Sequence, residues 1–229
     1  MKTHNHAWDS LFPGLRAGAQ EMGRRERRSC ETRERLFRAA MNLFRDNGFH
    51  KTTVEDITDA ADVGKGTFFN YFPSKEHVLG VLGEIQMAKY DRAVRIAHDQ
   101  DARSALHWLF HALPAETGSS PDMVRSLMTV FMTSNEVREF LTNKLTLGRI
   151  KLGDTIRTAQ HRGDIPSHHK PEELAFRFQQ SAFGAMLLWT LQTPSPPLEK
   201  WLDQGFDFFW SAVMAPVASK NERSSRSRV

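Results

Sequence analysis

The chain has little that could hold a fold together from outside its own core. It contains one cysteine, Cys30, in 229 residues, which excludes an internal disulfide framework and a cysteine-based zinc ribbon. No stretch approaches the ~18 consecutive apolar residues of a membrane helix. Near the N-terminus Trp8, Leu11, Phe12 and Leu15 are interrupted by Asp9, Pro13, Gly14 and Arg16, so no secretory apolar region forms. A lone thiol also suits a reducing compartment, and a cytoplasmic protein is expected. Charge of one sign is lacking as well: 31 Lys plus Arg against 27 Asp plus Glu leave +4, too little for bulk charge to select a partner. Strand-like alternation is almost absent, which leaves an all-α reading.

What is present is a helical pattern with local charge. Hydrophobic residues make up 40% of the chain, enough for a globular body of this length. Between Arg24 and Lys51 nine cations stand against four acids. Such a stretch is the footprint of a phosphate backbone or of a solvated helix face, and a reading element beside it is needed to decide. From Glu31 to Asn47 the residues Leu36, Phe37, Ala40, Leu43 and Phe44 form one apolar stripe, ended by Gly48. Thr53 offers an N-cap to a two-turn helix containing Val54, Ile57 and Ala61, broken at Asp62-Val63-Gly64. A second short helix over Lys65–Phe72 runs into Pro73, and Ser74 opens a third that continues towards His98. Longer helices are expected near 101–113, 121–133, 135–162, 171–192 and 197–214, separated by Pro, Gly and Ser clusters.

Three short helices with a tight break between the second and third have the sequence form of a helix-turn-helix. Phe68 and Phe72, four apart, should face the small core, leaving Thr67, Phe69, Asn70 and Tyr71 outward. Asn70 can bond an adenine edge bidentately and Phe69 can pack on a thymine methyl, while Thr53, Lys65, Tyr71 and Lys75 suit phosphates. Gly66 completes this candidate DNA-binding set. Gly64-Lys65 is not a nucleotide loop, because Asp59 stands where a P-loop needs its first Gly and a helix, not a strand, leads in.

The segment TVEDITDAADVGKGTFFNYFPSKEHVL, residues 53–79, resembles the DNA-binding signature of the tetracycline-repressor (TetR) family. The likeness extends back over Thr32–Lys51, where Ala39-Ala40, Leu43-Phe44 and Gly48-Phe49 fall at matching places. It implies backbone contacts by Thr53, Tyr71 and Lys75, and Phe69 stands where members often carry Tyr. It also implies an all-α architecture of about nine helices, with a C-terminal domain that binds an effector and dimerises. The expected divisions are a basic arm at 1–28, the helix-turn-helix unit at 29–76, the effector and dimer domain at 77–216, and a tail at 217–229. Met22, just ahead of the helical pattern, is an alternative start.

The expected function is an effector-responsive, sequence-specific regulator, most often a repressor. It would act as a homodimer on a near-palindromic double-stranded operator, be released by a small, largely apolar ligand, and need no cofactor. Candidate dimer residues are Phe178, Met186, Trp189, Trp201, Phe206, Phe209 and Trp210, because the last two helices are apolar around most of their circumference. Candidate ligand contacts are Trp108, His111, Met128, Phe131, Met132 and Phe183, since Met and aromatic side chains make adaptable apolar walls. His107 and His111 have the i, i+4 spacing of zinc-binding pairs. The intervening Trp-Leu-Phe supplies no Glu to act as a base, so they read as polar residues of an amphipathic helix and no metal is assigned. No nucleophile elbow, zincin motif or Gly-rich cofactor turn is found, so no enzyme is expected. The rival readings are a non-DNA helical interaction module and a metal-binding helical protein using His107 and His111.

Overall fold

A computed structural model of the chain describes residues 23–115, 117, 120–194 and 196–216. Among these residues the structure is all-α: α1 (Arg24–Asn47), α2 (Val54–Ala60), α3 (Lys65–Tyr71), α4 (Lys75–Asp99), α5 (Ala102–Ala112), α6 (Pro121–Thr133), α7 (Asn135–Arg162), α8 (Pro171–Trp189) and α9 (Leu198–Met214).

Each boundary has a chemical cause. Thr53 Oγ1 accepts from Asp56 N at 3.1 Å while Asp56 Oδ2 accepts from Thr53 N at 2.8 Å, a reciprocal cap on α2. Asp101, Ser120 and Ser134 cap α5, α6 and α7 one way, each side chain accepting from the backbone N–H three residues on, and Pro121 and Pro171 occupy first turns where no N–H is needed. Gly163 ends α7 at φ 83°, with Asp164 N bonded back to Ala159 O at 2.9 Å. That is the left-handed closure a glycine makes without Cβ strain.

The long basic helix α1 starts earlier than its apolar stripe. Arg24–Arg28, assigned from sequence to an irregular arm, are helical and exposed. Glu26 folds back to accept from Gly23 N at 3.1 Å, and Arg27 pairs with Glu31 one turn on at 3.8 Å. Both contacts favour helix in a segment whose side chains have good helix propensity. The rest of that arm and the 217–229 tail lie outside the described residues.

Two apolar cores follow. One gathers Leu36, Phe37, Phe44, Phe49, Ile57, Phe68 and Phe72 with Val78, Leu79 and Leu82 of α4, and also Met123, Leu127 and Val130 of α6 and Val137 of α7. The other is built in the body from α4, α5, α7, α8 and α9 around Phe110, Phe178 and Phe206. A boundary at 76/77 therefore divides no core: α4 serves both, and α6 closes the first. Polar contacts reinforce that seam, with Phe49 N donating to Ser126 Oγ at 3.1 Å. Arg33 makes a two-point contact to Glu84 at 2.7 and 2.9 Å.

Candidate nucleic-acid interface and ligand cavity

The unit α1–α3 is small, and α3 has only seven residues, so its position depends on what it inserts below. Phe68 is fully buried and Phe72 is 2% exposed; their rings lie 5.6 Å apart at 48°. Between α2 and α3 the chain turns at Asp62, which holds φ 51°, a conformation Asp tolerates better than most side chains. Val63 N returns to Thr58 O at 3.0 Å.

With two Phe rings inward, the opposite side of α3 must face out. Phe69 is 47% exposed, and Asn70, Lys65 and Gly66 are exposed. A Cβ added at Gly66 would meet nothing within 4 Å, so this glycine is not required by packing within the protomer. Thr67 and Tyr71 are half-buried, Tyr71 against the small core. Thr53 is exposed at the N-terminus of α2. The Thr53 backbone N–H and hydroxyl hold the Asp56 carboxyl below the usual carboxylate range.

Two of the cations expected at phosphates are held within the protomer. Lys75 Nζ donates to the carbonyls of Phe49 at 2.9 Å and Thr52 at 3.0 Å, and sits 4.5 Å from the Phe49 ring centroid. It clamps the α1–α2 loop rather than projecting freely. Lys65 is exposed but pairs with Glu55, whose carboxyl it lowers. The reason is tertiary: the acceptors come from residues 26 and 23 positions upstream of Lys75 and 10 positions upstream of Lys65. The N-terminal arginines of α1, exposed and placed outside the expected head by the sequence reading, are cations the motif did not supply.

Below this unit lies a cavity of about 110 Å³ between the two cores. Leu79, Leu82, Leu127 and Val137 come from the first core, and Tyr90, Val124, Ala182 and Met186 from the second. Met128, Phe131 and Phe183 line it, together with Phe140, Leu141 and Leu145. The lining is almost wholly apolar. Lys144 is its charged exception, with Nζ 5.4 Å from the Phe140 ring centroid. Tyr90 accepts from Gln179 Nε2 at 3.2 Å, and burial pushes its phenol up. Glycines let the cavity helices α4 and α7 approach: a Cβ at Gly148 would come 2.5 Å from the Tyr90 ring, and one at Gly83 2.7 Å from Phe140.

Three expected ligand contacts are elsewhere. Met132 is 74% exposed, being on the outer side of α6. Trp108 lies under the Arg92 guanidinium at 4.7 Å. His111 faces Asp203 of α9. Periodicity shows which residues share a helix face; it does not show what that face meets. The same limit applies to the expected dimer residues. Phe178, Phe206, Phe209, Met186 and Trp189 are no more than 8% exposed. They pack in the body's interior, where Phe110 meets Phe178 at 5.2 Å and Phe178 meets Phe209 at 5.5 Å. Trp201 and Trp210 are half-buried. The large apolar side chains left in the open on this pair are Phe176, Leu187 and Leu188 of α8, Leu191 just beyond it, and Phe208 and Met214 of α9.

A short helix anchored by two aromatic residues, presented after a tight turn and supported by a basic first helix, defines a helix-turn-helix DNA-binding protein. Residues 36–82 match the family described as bacterial regulatory proteins, tetR family. The chain is 42% identical over 66 residues to the transcriptional regulator TcmR of Streptomyces glaucescens, a match spanning 29% of each protein. It is 27% identical over 176 residues to the repressor KstR2 of Rhodococcus jostii, covering 69% of this chain and 78% of that one. The crystal structure of Thermus thermophilus FadR in complex with lauroyl-CoA is similar with a TM-score of 0.58 and 25% identity, over 82% of this chain and 97% of that chain. Residues 36–82 therefore carry a DNA-binding domain of the TetR family of bacterial regulatory proteins, and the relatives matched beyond that segment are transcriptional regulators. No helix among the described residues is long and apolar enough to cross a membrane.

Proposed function

We propose that the protein is a repressor that sits on a near-palindromic operator as a homodimer and is released by an amphipathic, largely apolar ligand. The observation that carries this reading is the cavity's position. Leu79, Leu82 and Gly83 in its wall belong to α4, the helix that begins four residues after the end of α3. A ligand that spreads α4 from α6 and α7 moves the base of the reading head, and in a dimer two heads then leave half-site spacing. The ligand acts only by its preference for the released state; a tenfold loss of DNA affinity corresponds to about 1.4 kcal/mol of coupling.

The apolar lining with Lys144 as its single cation suits an acyl compound with an anionic end. The similar Thermus thermophilus protein in its lauroyl-CoA complex supports that class. On the head, Asn70 and Phe69 are assigned to base edges, and Thr53, Tyr71 and the arginines of α1 to phosphates. For the dimer, the exposed apolar side chains Leu187 and Leu188 of α8, Leu191 just beyond it, and Phe208 and Met214 of α9 are assigned to pairing with a second copy about a two-fold axis.

Fluorescence anisotropy tests the reading, using DNA from upstream of the protein's own gene and a scrambled control at about 150 mM salt, where non-specific Kd values are typically 10⁻⁴–10⁻⁶ M. Binding should be at least ~10³-fold tighter to the native fragment and should weaken on addition of lauroyl-CoA. Equal, weak binding to every fragment of a genomic selection would overturn it. Phe208→Glu should convert the dimer to monomer in sedimentation.

A further inference from the structure

The pair His107 and His111 has a third partner that sequence spacing could not reveal. Asp203, from α9, lies opposite both: its Oδ1 is 3.0 Å from His111 Nε2 and 3.7 Å from His107 Nε2. One ligand atom from each residue lies within 4.8 Å of the others, the one such group of three ligating side chains found among the described residues. None of the three lines the cavity or belongs to the reading head.

We propose that His107, His111 and Asp203 form a binding site for a divalent transition-metal ion of the zinc type, bridging α5 and α9. The spacing fits the ion. Bonds of about 2.0–2.2 Å at tetrahedral angles place neighbouring donor atoms roughly 3.3–3.5 Å apart, and the two measured separations bracket that value. The i, i+4 histidines put two imidazoles on one face of a rigid helix, and their rings lie 4.6 Å apart. A carboxylate from a facing helix completes three protein ligands, as metal sites between packed helices are commonly built.

A second observation separates this cluster from an ordinary histidine–carboxylate pair. His111 Nε2 is cut off from solvent and makes no hydrogen bond of acceptable geometry, although Asp203 Oδ1 is only 3.0 Å away. A solvent-excluded ring nitrogen 3.0 Å from a carboxylate oxygen is placed as two ligands of a common centre would be. The surroundings hold them there: the edge of the Phe206 ring packs on His107 at 4.9 Å. Arg103, one turn before His107, is directed to Asp207 at 3.4 Å, which leaves Asp203 to the histidines. Water would complete the coordination of an ion held by these three side chains. Two imidazoles with carboxylate select zinc, nickel or cobalt over magnesium and calcium, which prefer all-oxygen sites.

An occupied site would tie α5 to the helix bearing Phe208, so metal would stiffen the body independently of DNA or cavity ligand. The test uses the full chain stripped with chelator and titrated with Zn²⁺ by calorimetry, with Co²⁺ as an optical probe. The expected result is one ion per protomer, a tetrahedral Co²⁺ spectrum and a raised Tm, with no response to Mg²⁺. His111→Gln and Asp203→Asn should each weaken Zn²⁺ binding by at least about tenfold. The double change of His168→Gln and His169→Gln, in a separate loop, should leave it unaltered. Asp203 is an exposed side chain, so D203N keeps the test decisive if H111Q misfolds. Absence of stoichiometric Zn²⁺ binding, or an affinity equal in wild type and D203N, would overturn the proposal.

Discussion

The reading head and the helical body solve opposite packing problems. In the head, a seven-residue helix is held by inserting two large rings, and its outer face carries no side chain needed for the fold. In the body, helices of up to 28 residues are long enough to pack without help, and glycines at Gly83 and Gly148 let α4 and α7 come close beside a space that is left open. The head thus separates function from stability on two sides of one helix. The body mixes them, because its cavity wall is also its core. Substitutions on the head's outer face should change recognition alone, whereas those in the cavity wall should change stability as well as response.

That contrast can be broken most severely from within the head. Phe68→Ala empties a fully buried ring position and should cost about 3–5 kcal/mol. Thermal melting should show it, and operator binding should disappear with the fold of α3. In the body, Gly148→Ala should destabilise by about 1–3 kcal/mol through overpacking on Tyr90. Gly66→Ala, whose added methyl meets nothing in the protomer, should leave the melting temperature unchanged or higher and alter DNA binding only.

Asn70→Ala sharpens the comparison from the recognition side. Specific affinity should fall by about 1–3 kcal/mol while the melting temperature and random-sequence binding stay the same. An equal loss on random DNA would remove Asn70 from the base-reading set. The smallest expected loss of stability belongs to the cap of α2. Thr53→Ala should cost about 1 kcal/mol of stability, and the same contact has a pH signature. The Asp56 carboxyl titrates lower in the folded chain than in the unfolded one. Its contribution is therefore present above the ordinary carboxylate pKa and is lost as pH falls through the lowered value. An acid-side Tm decline that is shallower in Asp56→Asn than in the native chain would show it.

The head was readable because its constraints are local. Thr53, Phe68 and Phe72 act within one or two turns of themselves, so their spacing alone states the capping and the buried face. Asn70 and Phe69 follow as the residues left over. Lys75 was not readable in this way: a lysine after a short helix looks like a phosphate contact, and the carbonyls of Phe49 and Thr52 that occupy it come from 26 and 23 residues upstream. In the body the sequence named apolar faces and could not say what each one meets. Met128, Phe131 and Phe183 reach the cavity, while Met132, on the same helix as the first two, points to solvent. An excess of aromatic residues on α8 and α9 suggested an interface made of Phe178, Phe206 and Phe209, yet these close the body's own core and leave Leu188 and Phe208 outside.

By itself, then, the sequence determined the all-α class, most of the helix order and the outward position of Phe69 and Asn70 on the reading helix. Each of these depends on hydrogen bonds and side-chain spacing along a few consecutive turns. Only the tertiary structure decided which apolar residues line a cavity, which are left exposed, and that Asp203 stands against His107 and His111. Those outcomes depend on the rotation of one helix about its axis relative to another, set jointly by all the side chains between them and encoded in no single stretch of chain.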